Sequence, residues 1–159
     1  MHEAENIIAQ FGLQPLPHEG GFYRRTWTGP MVAGRTTGTA IYFLITRDSF
    51  SALHRLASDE IWHFYLGDPV RLVQLIPAGG PPKLVTLGSD LGAGQIPQQV
   101  VPGGTWQGAQ LVEASPRGWS LLGCTMTLGW DDRDFTLGER ASLLADFPAA
   151  AEWITRLTR

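Results

Sequence analysis

The sequence predicts a mainly β fold built from many short strands, with a helix at its start and helices at its end. Three observations carry this expectation. Runs rich in apolar and β-branched residues recur roughly every ten residues between positions 22 and 128, the spacing of strands in a sandwich or barrel. Turn formers are plentiful, with 19 Gly and 11 Pro spread through 159 residues, and they fall between those runs. Beyond residue 138 the apolar residues change to helical spacing.

The elements follow in order. Ile7, Ile8 and Phe11 share one face of an opening helix over residues 1–12, with Gly12 placed to stop it. Residues 14–21 form a loop and residues 22–28 the first strand. After a loop at 34–38, residues 39–46 (TAIYFLIT) read as a central strand buried on both faces. Residues 50–56 and 60–66 are two strands joined by Ala57-Ser58-Asp59, and Gly67-Asp68-Pro69 makes a corner. Strands at 70–76 and 83–87 flank a hairpin loop at 77–82, and 88–94 is loop. Further strands are expected at 98–101, 109–114 and 120–128, separated by Pro102-Gly103-Gly104 and Ser115-Pro116-Arg117-Gly118. Two helices, 139–146 and 149–157, are split by Pro148; Leu143, Leu144 and Phe147 face one way, Trp153, Ile154 and Leu157 another. With no fixed-period repeat and no linker, a single domain over residues 1–159 is expected.

Composition narrows the function. The chain is 43% hydrophobic, ordinary for a globular protein, and no apolar run reaches the ~20 residues of a membrane span. The opening MHEAENIIAQF is acidic and does not have the pattern of a secretory signal. The one cysteine, Cys124, excludes an internal disulfide and an all-cysteine zinc site, and is expected to be a buried, inert thiol. A cytoplasmic setting follows as the expectation. Net charge is −3, and the 12 Lys and Arg are scattered, so neither nucleic acid nor a membrane is the expected partner. Gly92-Ala93-Gly94 lacks the Lys-Ser/Thr of a phosphate loop. A small-molecule ligand remains.

The chemistry centres on residues 51–67. His2 is expected in solvent and His18 on a surface loop. If strands 50–56 and 60–66 pair across their turn, His54 and Glu60 become neighbours. Such a pair can ligate a metal, work as an acid–base pair, or be a hydrogen-bonded histidine in a polar interior. Trp27, Trp62, Phe64, Tyr65 and Trp106 are mostly explained by core packing, but Trp62 and Trp106 are placed to stack on a sugar or heterocyclic ring. Glu19-Gly20-Gly21 either brings backbone close to a ligand, an approach Gly allows, or forms an ordinary turn.

These residues match a known spacing. His54, Leu56, Glu60 and Gly67 sit where the first cupin motif has His, His, Glu and Gly, and Pro102-Gly103-Gly104-Thr105-Trp106-Gln107 resembles the second, Pro-x-Gly-x-x-His. The segments Pro17-His18-Glu19-Gly20-Gly21-Phe22-Tyr23, Ala40-Ile41-Tyr42-Phe43-Leu44, residues 50–67, Val101 through Gln107, Leu122-Gly123-Cys124, Gly129-Trp130 and Asp134-Phe135 resemble the cupin group DUF985, or cupin_5, over residues 5–157. That resemblance implies a double-stranded β-helix (jelly-roll) fold and a homodimer. It also exposes departures. Metal-dependent cupins use three His and one Glu; here Leu56 and Gln107 replace two of the histidines. His63 and Gln107 would have to complete a set with His54 and Glu60. Strand alternation from Glu60 sends His63 to the opposite face unless a bulge intervenes. No tightly bound metal is therefore expected.

Residues 51–56 (SALHRL) also resemble the catalytic-histidine strand of the dTDP-4-dehydrorhamnose 3,5-epimerases, which are metal-free cupins. The leading expectation is an isomerase or epimerase acting on a sugar-like or carbonyl compound. His54 is its general base and Glu60 its partner, and Tyr23 or Tyr42 is a candidate acid. Glu19, Tyr23, Tyr42, Trp62, His63, Trp106 and Gln107 are expected around the substrate. The alternatives are a cupin enzyme holding a divalent metal through His54, Glu60, His63 and Gln107, and a non-catalytic cupin that binds a small ligand.

Overall fold

The computed structural model describes residues 2–76 and 80–159, with His2 described through its backbone alone. The His2 side chain, and part of the expected hairpin loop 77–82, lie outside the described residues. The elements are α1 (His2–Phe11), β1 (Gln14–Pro15), β2 (Phe22–Thr28), β3 (Met31–Val32), β4 (Arg35–Thr36), β5 (Gly38–Thr46) and β6 (Ser51–Arg55). They continue with β7 (Glu60–Gly67), β8 (Val70–Leu75), β9 (Lys83–Leu87), β10 (Gln98–Val101), β11 (Trp106–Leu111), β12 (Trp119–Thr127) and β13 (Thr136–Leu137). Helix α2 (Arg140–Asp146), a single 3-10 turn at Pro148–Ala150 and α3 (Ala151–Arg156) close the chain.

The strands form a six-stranded sheet in the order β1-β2-β5-β12-β7-β10 and a five-stranded sheet in the order β13-β6-β11-β8-β9. The two sheets face each other as a jelly-roll sandwich and do not close into a barrel. Their inner faces meet in a core of Phe43, Ile45, Trp62, Leu72, Leu87 and Leu122, among others. Phe43 and Trp62 pack edge to face at 5.8 Å, a favoured arrangement of ring quadrupoles.

Both outer faces carry helices, each for a reason visible locally. Ala4, Ile7, Ile8 and Phe11 of α1 pack on Leu13, just after the helix, and on Leu44, Trp119 and Leu121 of the first sheet. The Trp119 indole donates to Glu3 at 3.0 Å, and Gly12 ends the helix at φ +59. Leu143 and Ile154, from α2 and α3, pack on Leu53, Val73 and Leu75 of the second sheet. The Glu139 carboxylate caps α2 by accepting from the Ala141 and Ser142 amides, an arrangement worth about 1 kcal/mol. No helix among the described residues is long and apolar enough to cross a membrane.

The structure moves one expected strand. β11 begins at Trp106 and ends at Leu111, not at 109–114. The segment Trp106-Gln107-Gly108 has no β-branched residue to mark it. It is fixed by pairing with β6 on one side and β8 on the other. The two-residue strands β1 and β4 occur where loop was expected, and β3 and β13 in segments given no strand.

The motif glycine Gly67 closes β7 at φ +107, and a Cβ there would lie 2.5 Å from the Trp119 carbonyl oxygen. Backbone strain and a backbone clash therefore coincide. Gly67→Ala is expected to destabilise the fold by about 2–4 kcal/mol, read as a lower urea midpoint with unchanged m.

Candidate functional site

A cavity of about 260 Å³ lies against the inner face of the six-stranded sheet. Its floor is laid by alternate residues of neighbouring strands: Tyr23 and Arg25 from β2, Ile41 and Phe43 from β5, Cys124 and Met126 from β12. Glu60, the first residue of β7, stands at one side. The loop before β2 contributes Leu16, Pro17, His18 and Glu19, and the segment after β12 contributes Trp130, Asp132 and Phe135.

Glu60 and Glu19 are both 7% exposed, and His54 between them is 1% exposed. His54 Nδ1 lies 4.0 Å from the Glu19 carboxylate, and Nε2 lies 4.0 Å from Glu60. Nδ1 also lies 2.8 Å from the Ala52 carbonyl. A carbonyl only accepts, so Nδ1 carries a proton, and Nε2 is the nitrogen turned toward Glu60. Phe135 stacks on the imidazole at 5.6 Å and itself lines the cavity. His54 therefore sits behind the wall and does not form part of it.

A second chain of contacts fixes Glu60. Gln107 Nε2 donates to Glu60 at 2.7 Å, and the Trp62 indole donates to Gln107 Oε1 at 2.8 Å. An indole N–H can only donate, so it orients the Gln107 amide with its nitrogen toward the carboxylate. Gln107 pairs with His54 across β6 and with Gln74 across β8, which makes a polar row in an otherwise apolar sheet. Glu19 is held by the Ser51 hydroxyl at 2.7 Å.

Burial strips water from the Glu60 carboxylate, and the nearby Glu19 carboxyl adds to the effect. Opposing pulls from His54 and the Gln107 amide are smaller, and the Glu60 pKa rises from 4.5 to about 7. Burial also pushes the Cys124 thiol well up, reinforced by Glu60 and Glu19, so it stays protonated.

Among the residues expected around a substrate, the structure places Glu19 and Tyr23 on the cavity wall, together with Glu60 of the expected catalytic pair. The others lie elsewhere. Tyr42 is on the outer face of β5, packed on Phe11 of α1 at 5.1 Å. Trp106 faces the helices on the far side of the second sheet, with the Arg55 guanidinium 4.8 Å over its ring. Trp62 and Gln107 are buried behind Glu60 and act through it. His63 is on the outer face, its ring bonded to Thr125 at 3.1 Å and Gln98 at 3.3 Å.

The four expected metal donors are thus not brought together. His63 points away, Leu56 is apolar, and Gln107 turns its amide nitrogen rather than its oxygen toward Glu60. Among the described residues there is no group of three His, Cys, Asp or Glu that could hold a metal ion. The donors present do not fit a three-histidine, one-glutamate centre.

Arg25, Cys124, Trp130, Asp132 and Phe135 also line the cavity and were not among the expected site residues. The Gly129-Trp130 and Asp134-Phe135 segments were legible as part of a family pattern, but nothing in their spacing aims them at a pocket.

Comparison with known proteins settles the relationship. The family described as Cupin_5, cupin superfamily (DUF985), matches residues 5–138. The chain belongs to this family. Among solved structures, protein SO0799 from Shewanella oneidensis is 33% identical with a TM-score of 0.90, over 98% of this chain and 97% of that one. A hypothetical protein from Leishmania major is 31% identical with a TM-score of 0.90, over 98% of each chain. Oxalate decarboxylase from Bacillus subtilis is 13% identical with a TM-score of 0.57, over 91% of this chain and 37% of that one, a likeness of fold alone. No curated protein matches this Cupin_5 chain in sequence.

Proposed function

We propose that this Cupin_5 protein is a proton-transfer enzyme, an isomerase or epimerase of a small carbonyl compound. Glu60 takes and returns the proton, and His54 is its buried partner. The carrying observation is a glutamate with pKa about 7 on the wall of a largely apolar cavity. A carboxyl tuned to neutral pH is half charged there, so it serves as base and then as acid. In the proposed step Glu60 accepts a proton from the carbon beside a carbonyl, and the C–H electron pair moves onto the carbonyl oxygen to give an enolate. Glu60 then returns the proton to a carbon of that enolate. The Tyr23 hydroxyl, on the same wall, is available to donate to the enolate oxygen.

The acid–base reading is favoured over binding alone because ligand capture gives no reason to desolvate two carboxyls. It is favoured over a metal site because the Gln107 amide is turned to donate. The test is incorporation of deuterium from solvent into aldoses, ketoses and 2-oxo acids, followed by proton NMR. The base must be ionised, so kcat/KM is expected to rise with pH with a midpoint near 7. Absence of incorporation across the panel, or a midpoint in the ordinary carboxylate range, would sink the proposal.

A further inference from the structure

We infer that the cavity takes a small carbonyl compound bearing a carboxylate, of the 2-oxo acid class, and that Arg25 binds that carboxylate; this rests on the proton-transfer reading of Glu60. Arg25 lies at an inward position of β2. Its neighbour Arg24 points outward, its guanidinium 5.7 Å over Tyr42, whereas Tyr23 and Arg25 line the cavity. Most arginines of the chain are engaged. Arg35 pairs with Asp134, Arg133 with Asp131 and Arg156 with Glu113 and Glu152. Arg47, Arg140 and Arg159 donate to backbone carbonyls. Arg25 has no hydrogen bond or ion pair among the described residues, and it is the one arginine or lysine on the cavity wall.

Register sets its distance from the acid–base group. Arg25 lies opposite Ile41, Ile41 opposite Cys124, and Cys124 opposite Trp62, two residues beyond Glu60. Three strand spacings put the backbones of β2 and β7 about 14 Å apart, and both side chains reach into the gap. The space left suits a short chain of atoms. The volume of about 260 Å³ is at or below the low end for ligand pockets, too small for a nucleotide sugar.

Charge fixes the orientation. Glu19 and Glu60 at the inner end repel a carboxylate, the third wall carboxyl, Asp132, is engaged by the Trp130 indole at 3.0 Å, and Arg25 offers the ligand a charge-assisted, forked pair of donors. Leu16, Ile41, Phe43 and Met126 between them suit a carbon skeleton. The C–H next to the carbonyl then points at Glu60.

The test titrates the protein with 2-oxo acids from 2-oxobutanoate to 2-oxooctanoate and with the matching 2-oxo amides. Binding is read by tryptophan fluorescence, since Trp130 lines the cavity, and exchange by deuterium incorporation. The acids are expected to bind more tightly than the amides. In Arg25→Gln that preference should collapse about 30-fold, the loss of a charged hydrogen bond, while Arg25→Lys keeps part of it. Arg25 is exposed, so these variants are expected to fold, with circular dichroism as the check. An acid-to-amide preference absent in wild type, or unchanged in Arg25→Gln, overturns the inference, and exchange that persists then leaves the Glu60 proposal standing. Binding of acids that depends on Arg25 without any exchange supports the carboxylate site and overturns the proton-transfer reading. Binding of neither series overturns the inference.

Discussion

Glu60→Gln is expected to abolish solvent-deuterium exchange at every pH and, in the same variant, to make the protein more stable at pH 8. Loss of a positioned acid–base group costs about a thousandfold in rate, and a glutamine cannot take the proton. The stability gain follows from linkage. Folded Glu60 titrates near 7 and the unfolded chain near 4.5, so between those values the native state holds the proton more often. Stability therefore falls as pH rises through this window and is unaffected by this group below about 4.5. The full cost above pH 7 is about 3 kcal/mol. The glutamine has no charge to desolvate, and its carbonyl can still accept from Gln107 Nε2. At pH 8 its Tm is expected to exceed wild type by roughly 6–12 °C, and the gap should close by pH 4. Thermal melts across that range check it; a variant less stable than wild type at pH 8 would show that the carboxylate is not held at a cost.

His54→Gln is expected to move the acid limb of the pH–rate profile upward and leave the activity recoverable at higher pH. The imidazole partly offsets the desolvation of Glu60, and removing it pushes that carboxyl further up. Activity at pH 7 falls by about tenfold for each unit the limb moves, and returns as pH rises. If His54 itself took the proton, the variant would be inactive at all pH, so a full profile separates the two roles. The substitution also removes the donor to the Ala52 carbonyl, at about 1–3 kcal/mol of stability.

The Glu60 and His54 roles mark the limit of what sequence motifs carry. The spacing of His54, Glu60 and Gly67 marked two strands that bring His54 and Glu60 together, and Glu19 and Tyr23, expected near a ligand, line the cavity. The motif pointed to His54 as the base, whereas the proposal gives that role to Glu60, because a motif cannot show which member of a pair lines the cavity. Phe135 arrives from a distant segment to cover the imidazole. Tyr42 was misplaced for another reason. β5 is apolar along its length, so alternation is invisible in it, and only the docking of α1 reveals that Tyr42 faces out and Phe43 in.

The sequence by itself determined the strand-rich architecture, the terminal helices, the family and the polar pair at positions 54 and 60. Those are local properties, written in periodicity, turn residues and short spacings. Only the tertiary structure decided that the sheets stay open as a sandwich, that Trp62 aims the Gln107 amide at Glu60, and that Arg25 shares a cavity with both glutamates. Each depends on strand order and register between segments far apart in the chain, and on how much water their meeting excludes. Burial moves the Glu60 pKa to about 7, and no stretch of sequence contains its own burial.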